Sequence, residues 1–191
     1  MNILTDTLPD FITVNGVRFR VLTDFRIWME FDSLMHCYGI SAKDKSMMAL
    51  SLCLDGEKKK ILPEDALGVM EELCKFYLCG RSSRGTEKNE RAIDFEKDST
   101  YIYSAFLTQY GIDLISIPYM HWYAFYALFE GLEDSRKIIK IMKFRLSNPD
   151  EEKNAEKRKY LKRMKELYSL SDTSCEDISE KEIADILFRT F

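Results

Sequence analysis

Residues Tyr119 to Glu130, YMHWYAFYALFE, constrain the fold more than any other part of the chain. Read as a helix, the segment lines up Trp122, Phe125, Tyr126 and Phe129 on one side. Met120, Ala124, Ala127 and Leu128 lie on the other, and no polar face remains. A helix of that kind has to be central in a core or covered by another protein. Tyr110 belongs to the same aromatic block, which runs from Phe106 to Leu132 with one histidine and almost no charge. Tyrosine and tryptophan combine large area with a polar tip and are favoured in interfaces as well as cores. The residues proposed to form the core or bind a partner are therefore Tyr110, His121, Trp122, Phe125, Tyr126 and Phe129, with the core taking the larger share.

At 191 residues, 46% of them hydrophobic, the chain has enough apolar material to bury such a helix within one domain. The opening carries a β signal. FITVNGVRFRV sets Asn15-Gly16 between two alternating runs, the pattern of a two-residue type I′ hairpin. That register places Ile12, Val14, Val17, Phe19 and Val21 on one face and Thr13, Arg18 and Arg20 on the other. A lone hairpin is marginal in water, so its apolar face needs a helical layer beneath it.

The rest reads as helices. Thr23 or Asp24 caps the first, which ends near Gly39, and the second covers AKDKSMMALSLCL and ends near Asp55-Gly56. Pro63, Glu64 and Asp65 open the third, with Leu67, Met70, Cys74 and Tyr77 as its apolar stripe. The polar stretch 80–91 reads as a flexible loop. The fourth helix starts at Asp94 or Asp98 and ends at Gly111, and Pro118 suits the first turn of the fifth, which stops at Gly131. The sixth carries Ile138, Ile141 and Met142 on one face. The seventh, about Glu151 to Tyr168, has a narrow stripe of Tyr160, Leu161, Met164 and Leu167. A C-terminal extension, 172–191, contains SEKEIADILFRTF, a short helix with Ser179 as cap and Glu182 three positions on. The fold class expected is mainly α: about seven to eight helices with a short N-terminal β-hairpin at about 11–22. Residues 1–171 form a single domain.

Catalytic and cofactor signals are weak. Five cysteines, an odd number without a CxxC pair, argue for reduced thiols and against a disulfide framework or a zinc site. His121 has no nucleophile motif beside it, so its ring nitrogens are expected to find structural partners. His36 lies near a helix C-terminus, where it favours the dipole. GRSSRG follows a helix and lacks the lysine of a phosphate loop. No enzyme activity, cofactor or metal is expected. The run KNAEKRKYLKRMK holds seven cations, but Asp150, Glu151, Glu152, Glu156 and Glu166 lie in or beside it. It reads as a solvated, salt-bridged helix, so nucleic acid is not an expected partner. No apolar run reaches the length of a membrane span, no secretory signal is visible, and a soluble intracellular protein is expected.

The block FEKDSTYIYSAFLTQYGIDLISIPYMHWYAFYALFEGL resembles the most distinctive segment of the bacteriophage gene product fifteen family, found in phages and prophages of Gram-positive bacteria. The matching residues are Tyr101-Ile102-Tyr103, Phe106-Leu107, Gln109 to Leu114, His121-Trp122, Phe125, Ala127-Leu128 and Gly131-Leu132. The likeness extends to the N-terminal MNILTDTLPDFITVNGVRFRVLTDFRIWMEF and, beyond the central block, to KIIKIMKFR and KRMKELYSL. Tyr123 stands where the family commonly has a second tryptophan, and Met120 where it has leucine. The resemblance implies a role in tail morphogenesis in the host cytoplasm, as a chaperone for the tape measure or major tail protein. A structural component retained in the tail, or a nucleic-acid-binding module using the basic helix, are the alternatives. Self-association into a homo-oligomer is compatible with either protein-binding role.

Overall fold

The structure, a computed structural model, describes residues 2–56, 61, 65–81 and 91–170. Residues 82–90 of the loop expected at 80–91, and the helix expected in 172–191, lie outside the described residues.

Strands β1 (Phe11–Val14) and β2 (Val17–Arg20) pair antiparallel, with Val14 opposite Val17 and Ile12 opposite Phe19. Asn15 and Gly16 take φ values of 49° and 82°, the two left-handed residues a type I′ turn requires. Ile12, Val14, Phe19 and Val21 are buried, but Val17 is 45% exposed. The expected apolar face thus stops short of the turn. The reason lies in the helix beneath: α3 (Ala66–Tyr77) packs on β1, leaving the start of the outer strand uncovered. Gly68 sets that contact, since a Cβ there would stand 3.0 Å from Val14 Cγ1.

The same contact fixes the roll of α3. Its buried residues are Val69, Leu73 and Phe76, whereas Leu67 is 72% exposed and Cys74 is exposed. The expected stripe Leu67, Met70, Cys74 and Tyr77 is therefore displaced by one position, about 100° around the axis. Both rows have helical spacing, and periodicity alone does not choose between them.

Helix α1 (Phe25–His36) begins at Asp24, whose carboxylate accepts from Arg26 N at 3.0 Å, and buries Phe25, Trp28 and Phe31. Helix α2 (Ala42–Cys53) is capped by Ser41, which accepts from Asp44 N at 3.1 Å. Helix α4 (Ser99–Tyr110) ends on Gly111 at φ 68°.

Helix α5 (Trp122–Glu130) starts four residues later than Pro118 suggests. Residues 119–121 instead run extended beside the entry to α1. Phe25 N donates to Met120 O at 3.0 Å, Trp122 N donates to Thr23 O at 2.8 Å, and Asp24 bridges His121. Those long-range bonds occupy the backbone groups that a longer helix would use.

Helix α6 (Lys137–Leu146), a 3-10 turn (Pro149–Glu151) and α7 (Ala155–Leu167) complete the order. Seven α-helices and one hairpin thus make up the described residues, a mainly α fold.

The core is an aromatic stack centred on α5. Trp122 lies 6.5 Å from Trp28, centroid to centroid, and 5.4 Å from Tyr77. Phe125 stacks on Phe25 at 5.0 Å and on Phe106 at 4.9 Å. Among the described residues Cys53, Cys74 and Cys79 are free thiols.

Candidate functional site

Four of the six aromatic-block residues lie inside the protein. Trp122 and Phe125 are fully buried, and Phe129 and His121 nearly so. The Trp122 indole N–H donates to Tyr77 O at 2.8 Å. His121 uses both ring nitrogens: Nδ1 accepts from Tyr123 N at 3.0 Å, capping α5, and Nε2 lies 3.0 Å from Pro9 O, to which it donates. That pairing fixes a neutral imidazole, and burial pushes its pKa below the ordinary value. The ring has no lone pair left for a substrate proton. Tyr110 and Tyr126 are half-buried. The Tyr110 hydroxyl donates to Leu128 O at 2.8 Å, and the Arg81 guanidinium lies 5.5 Å over the Tyr126 ring. As a set, these six residues hold the fold together.

A buried polar chain, absent from the sequence reading as a unit, runs beside that core. Arg145 on α6 grips Asp98 with two nitrogens, at 2.5 and 2.9 Å, and also donates to Ala92 O and Tyr168 O. Asp98 is 2% exposed and is the N-cap residue of α4, yet its carboxylate turns away from the helix to accept from Arg145 and from Asp94 N. Asp94 accepts from Arg91 at 3.0 Å, and Arg91 reaches on to Asp32 of α1 at 2.6 Å. Asp32 also accepts from the Tyr77 hydroxyl at 2.5 Å. Burial, with Asp32 beside it, pushes the Tyr77 phenol up. One signal in the sequence marks this chain: Arg145 and Asp32 occupy helical positions in register with the buried rows Ile138–Ile141 and Phe25–Trp28. Every carboxylate in it is engaged by donors, and it ties α1, α3, α4, α6 and the end of α7 together.

An open depression of 440 Å³ is lined by Ile3, Cys79, Gly80, Arg81, Tyr123, Tyr126 and Ala127. Burial pushes the Cys79 thiol up to about 12, so it stays protonated and is a poor nucleophile. Arg81 is already bound to Glu130. Among the described residues no cluster of three His, Cys, Asp or Glu side chains has metal-binding geometry, and no helix is long and apolar enough to cross a membrane.

The outer surface carries more of interest. Several large apolar side chains are exposed, among them Met47 on α2, Leu67 on α3, Leu146 on α6, and Tyr160 and Leu167 on α7. The basic helix is cross-linked as the charge pattern suggests: Lys157 pairs with Glu152 and Lys162 with Asp150, both at 2.8 Å.

The family described as Bacteriophage Gp15 protein matches residues 4–170 of this chain. No curated protein and no solved structure matches it.

Proposed function

The chain belongs to the Bacteriophage Gp15 protein family, and from that premise we propose that it is a tail-assembly protein, a chaperone for the tape measure or major tail protein. It acts in the host cytoplasm, without catalysis and without a cofactor. The observation that carries this reading is the division of apolar side chains between inside and outside. The aromatic block is taken up by the core, yet Met47, Leu67, Leu146, Tyr160 and Leu167 remain on helix surfaces. A tail protein waiting to assemble exposes apolar stripes of its own, and helix-in-groove contacts with such side chains would cover them. The engaged nitrogens of His121 and the protonated Cys79 support a binding role over an enzymatic one.

The test is a pull-down of the tagged protein from infected cells, set beside the protein inventory of purified particles. Recovery of a tail protein from cells, with this chain missing from the particles, is the expected result. Presence in the particles at fixed copy number would replace the chaperone reading with that of a retained tail component.

A further inference from the structure

The hairpin has one open edge. Val21 N donates to Asp10 O at 2.9 Å, and the two-residue turn closes on Val14 and Val17, so the ladder bonds fall at every second pair. Between those pairs, Phe11 and Thr13 stand opposite Arg20 and Arg18, with their backbone N–H and C=O groups turned away from β2. Among the described residues none of these outward groups has a hydrogen-bond partner. Thr13 is exposed, and α3 packs under the core face of the strand, at Val14. The open edge is short. Pro9, its carbonyl held by His121, precedes it, and the Asn15-Gly16 turn ends it.

The two edges of the hairpin are built differently. Strand β2 carries Arg18 and Arg20, and at its end Asp55 N donates to Arg20 O at 3.3 Å. Charge on an edge, or a neighbour for it, is what keeps other strands away. Strand β1 has neither: its sequence, FITV, is uncharged, and all four residues favour strands. A row of unpaired N–H and C=O groups at this spacing is satisfied by another extended backbone. A second copy of β1 meets the requirement in full. Laid antiparallel about a two-fold axis at Ile12, Phe11 of each copy faces Thr13 of the other, and every outward group of both strands is used. The seam holds no charge, and the two Asp10 side chains fall at opposite ends of it, about 14 Å apart along the strand. Pairing through β2 would instead bring Arg18 and Arg20 of both copies together. We infer that two copies of this chain pair through β1 into a continuous four-stranded sheet, β2–β1–β1–β2, with the arginine-bearing edges outermost. Those outer edges close the assembly at two copies. The pairing goes beyond the assembly role and does not depend on it.

Sedimentation equilibrium of the full chain, from about 1 to about 300 µM, should show the 22.4 kDa species giving way to one of twice that mass. Half-conversion is expected in roughly the tens of micromolar, as a small interface implies. Amide hydrogen exchange at the two ends of that range reads the edge itself. The Phe11 and Thr13 amides should slow by about threefold or more at the higher concentration, and the Arg18 amide should not change. Thr13→Pro removes an outward N–H and no bond to β2, at a kind of site where strands tolerate proline, and should abolish the dimer. Arg18→Pro does the same to the other edge and should leave the dimer intact. If either proline lowers the melting temperature, Thr13→Lys decides, because it charges the exposed edge without touching the backbone. It should weaken the dimer by about tenfold, and more at low salt. A chain that stays monomeric across the range overturns the pairing. So does a dimer whose Phe11 and Thr13 amides exchange unchanged, or one that survives both Thr13→Pro and Thr13→Lys. A monomeric wild type whose recovery of tail proteins is lost in Thr13→Pro would also overturn it, and would give the edge to a strand of another protein.

Discussion

Replacing Arg145 with methionine tests the buried polar chain directly. The methionine keeps much of the volume but removes the guanidinium that Asp98 faces at 2.5 and 2.9 Å, leaving a carboxylate 2% exposed without its counter-charge. Breaking one side of such a pair costs about 3–5 kcal/mol. Ala92 O and Tyr168 O lose a donor in the same step, and each hydrogen bond contributes about 1 kcal/mol net. The total, about 5–7 kcal/mol, is comparable to the whole stability of a marginal domain, since domain stabilities are commonly about 5–15 kcal/mol. Urea denaturation followed by tryptophan fluorescence suits the measurement, since Trp28 and Trp122 are both fully buried. Adding Asp98→Asn removes the stranded charge while keeping an acceptor for Asp94 N. The double variant should therefore recover about 1–3 kcal/mol relative to the sum of the two single changes. The reasoning fails if Arg145→Met costs less than about 1 kcal/mol, or if the two changes simply add.

Three further outcomes follow from local geometry. Trp122→Ala should cost about 3–5 kcal/mol in the isolated protein, because the ring is fully buried and its N–H holds Tyr77 O. Unchanged thermal melting would contradict that. Gly16→Val should cost about 1–2 kcal/mol from backbone strain alone, since φ is 82° and an added Cβ meets nothing within 4 Å. A loss below about 0.5 kcal/mol in chemical denaturation would argue against the left-handed turn. His121 is held neutral by burial, so its folded-state pKa lies below the unfolded one. The stability it supports is complete above the unfolded pKa of about 6.5. It is lost as pH falls from there toward the folded value, with a limiting slope of about 1.4 kcal/mol per pH unit. His121→Asn keeps a capping acceptor without that titration, and denaturation at pH 7 and pH 5 should show the wild type losing more. Identical losses would refute the assignment.

The sequence by itself determined the hairpin, most of the helix ends and the central place of the α5 segment. Each is encoded within a few neighbouring residues. Asn15-Gly16 supplies the two positive φ values, Asp24 supplies a cap, and an all-round apolar helix has nowhere to lie but inside. The family block was legible for the same reason, as a contiguous run. Tertiary structure alone decided the roll of α3, the late start of α5 and the pairing of Arg145 with Asp98. Two rows on α3 were equally periodic, and the approach of Gly68 to Val14 chose between them. Pro118 was a sound local start, but bonds from Thr23 and Phe25 kept residues 119–121 extended. Arg145 and Asp98 stand 47 positions apart, and nothing local to either residue names the other. Caps, turns and periods are free energies of adjacent residues, whereas helix roll and buried ion pairs are free energies of distant ones, settled only when the chain brings them into contact.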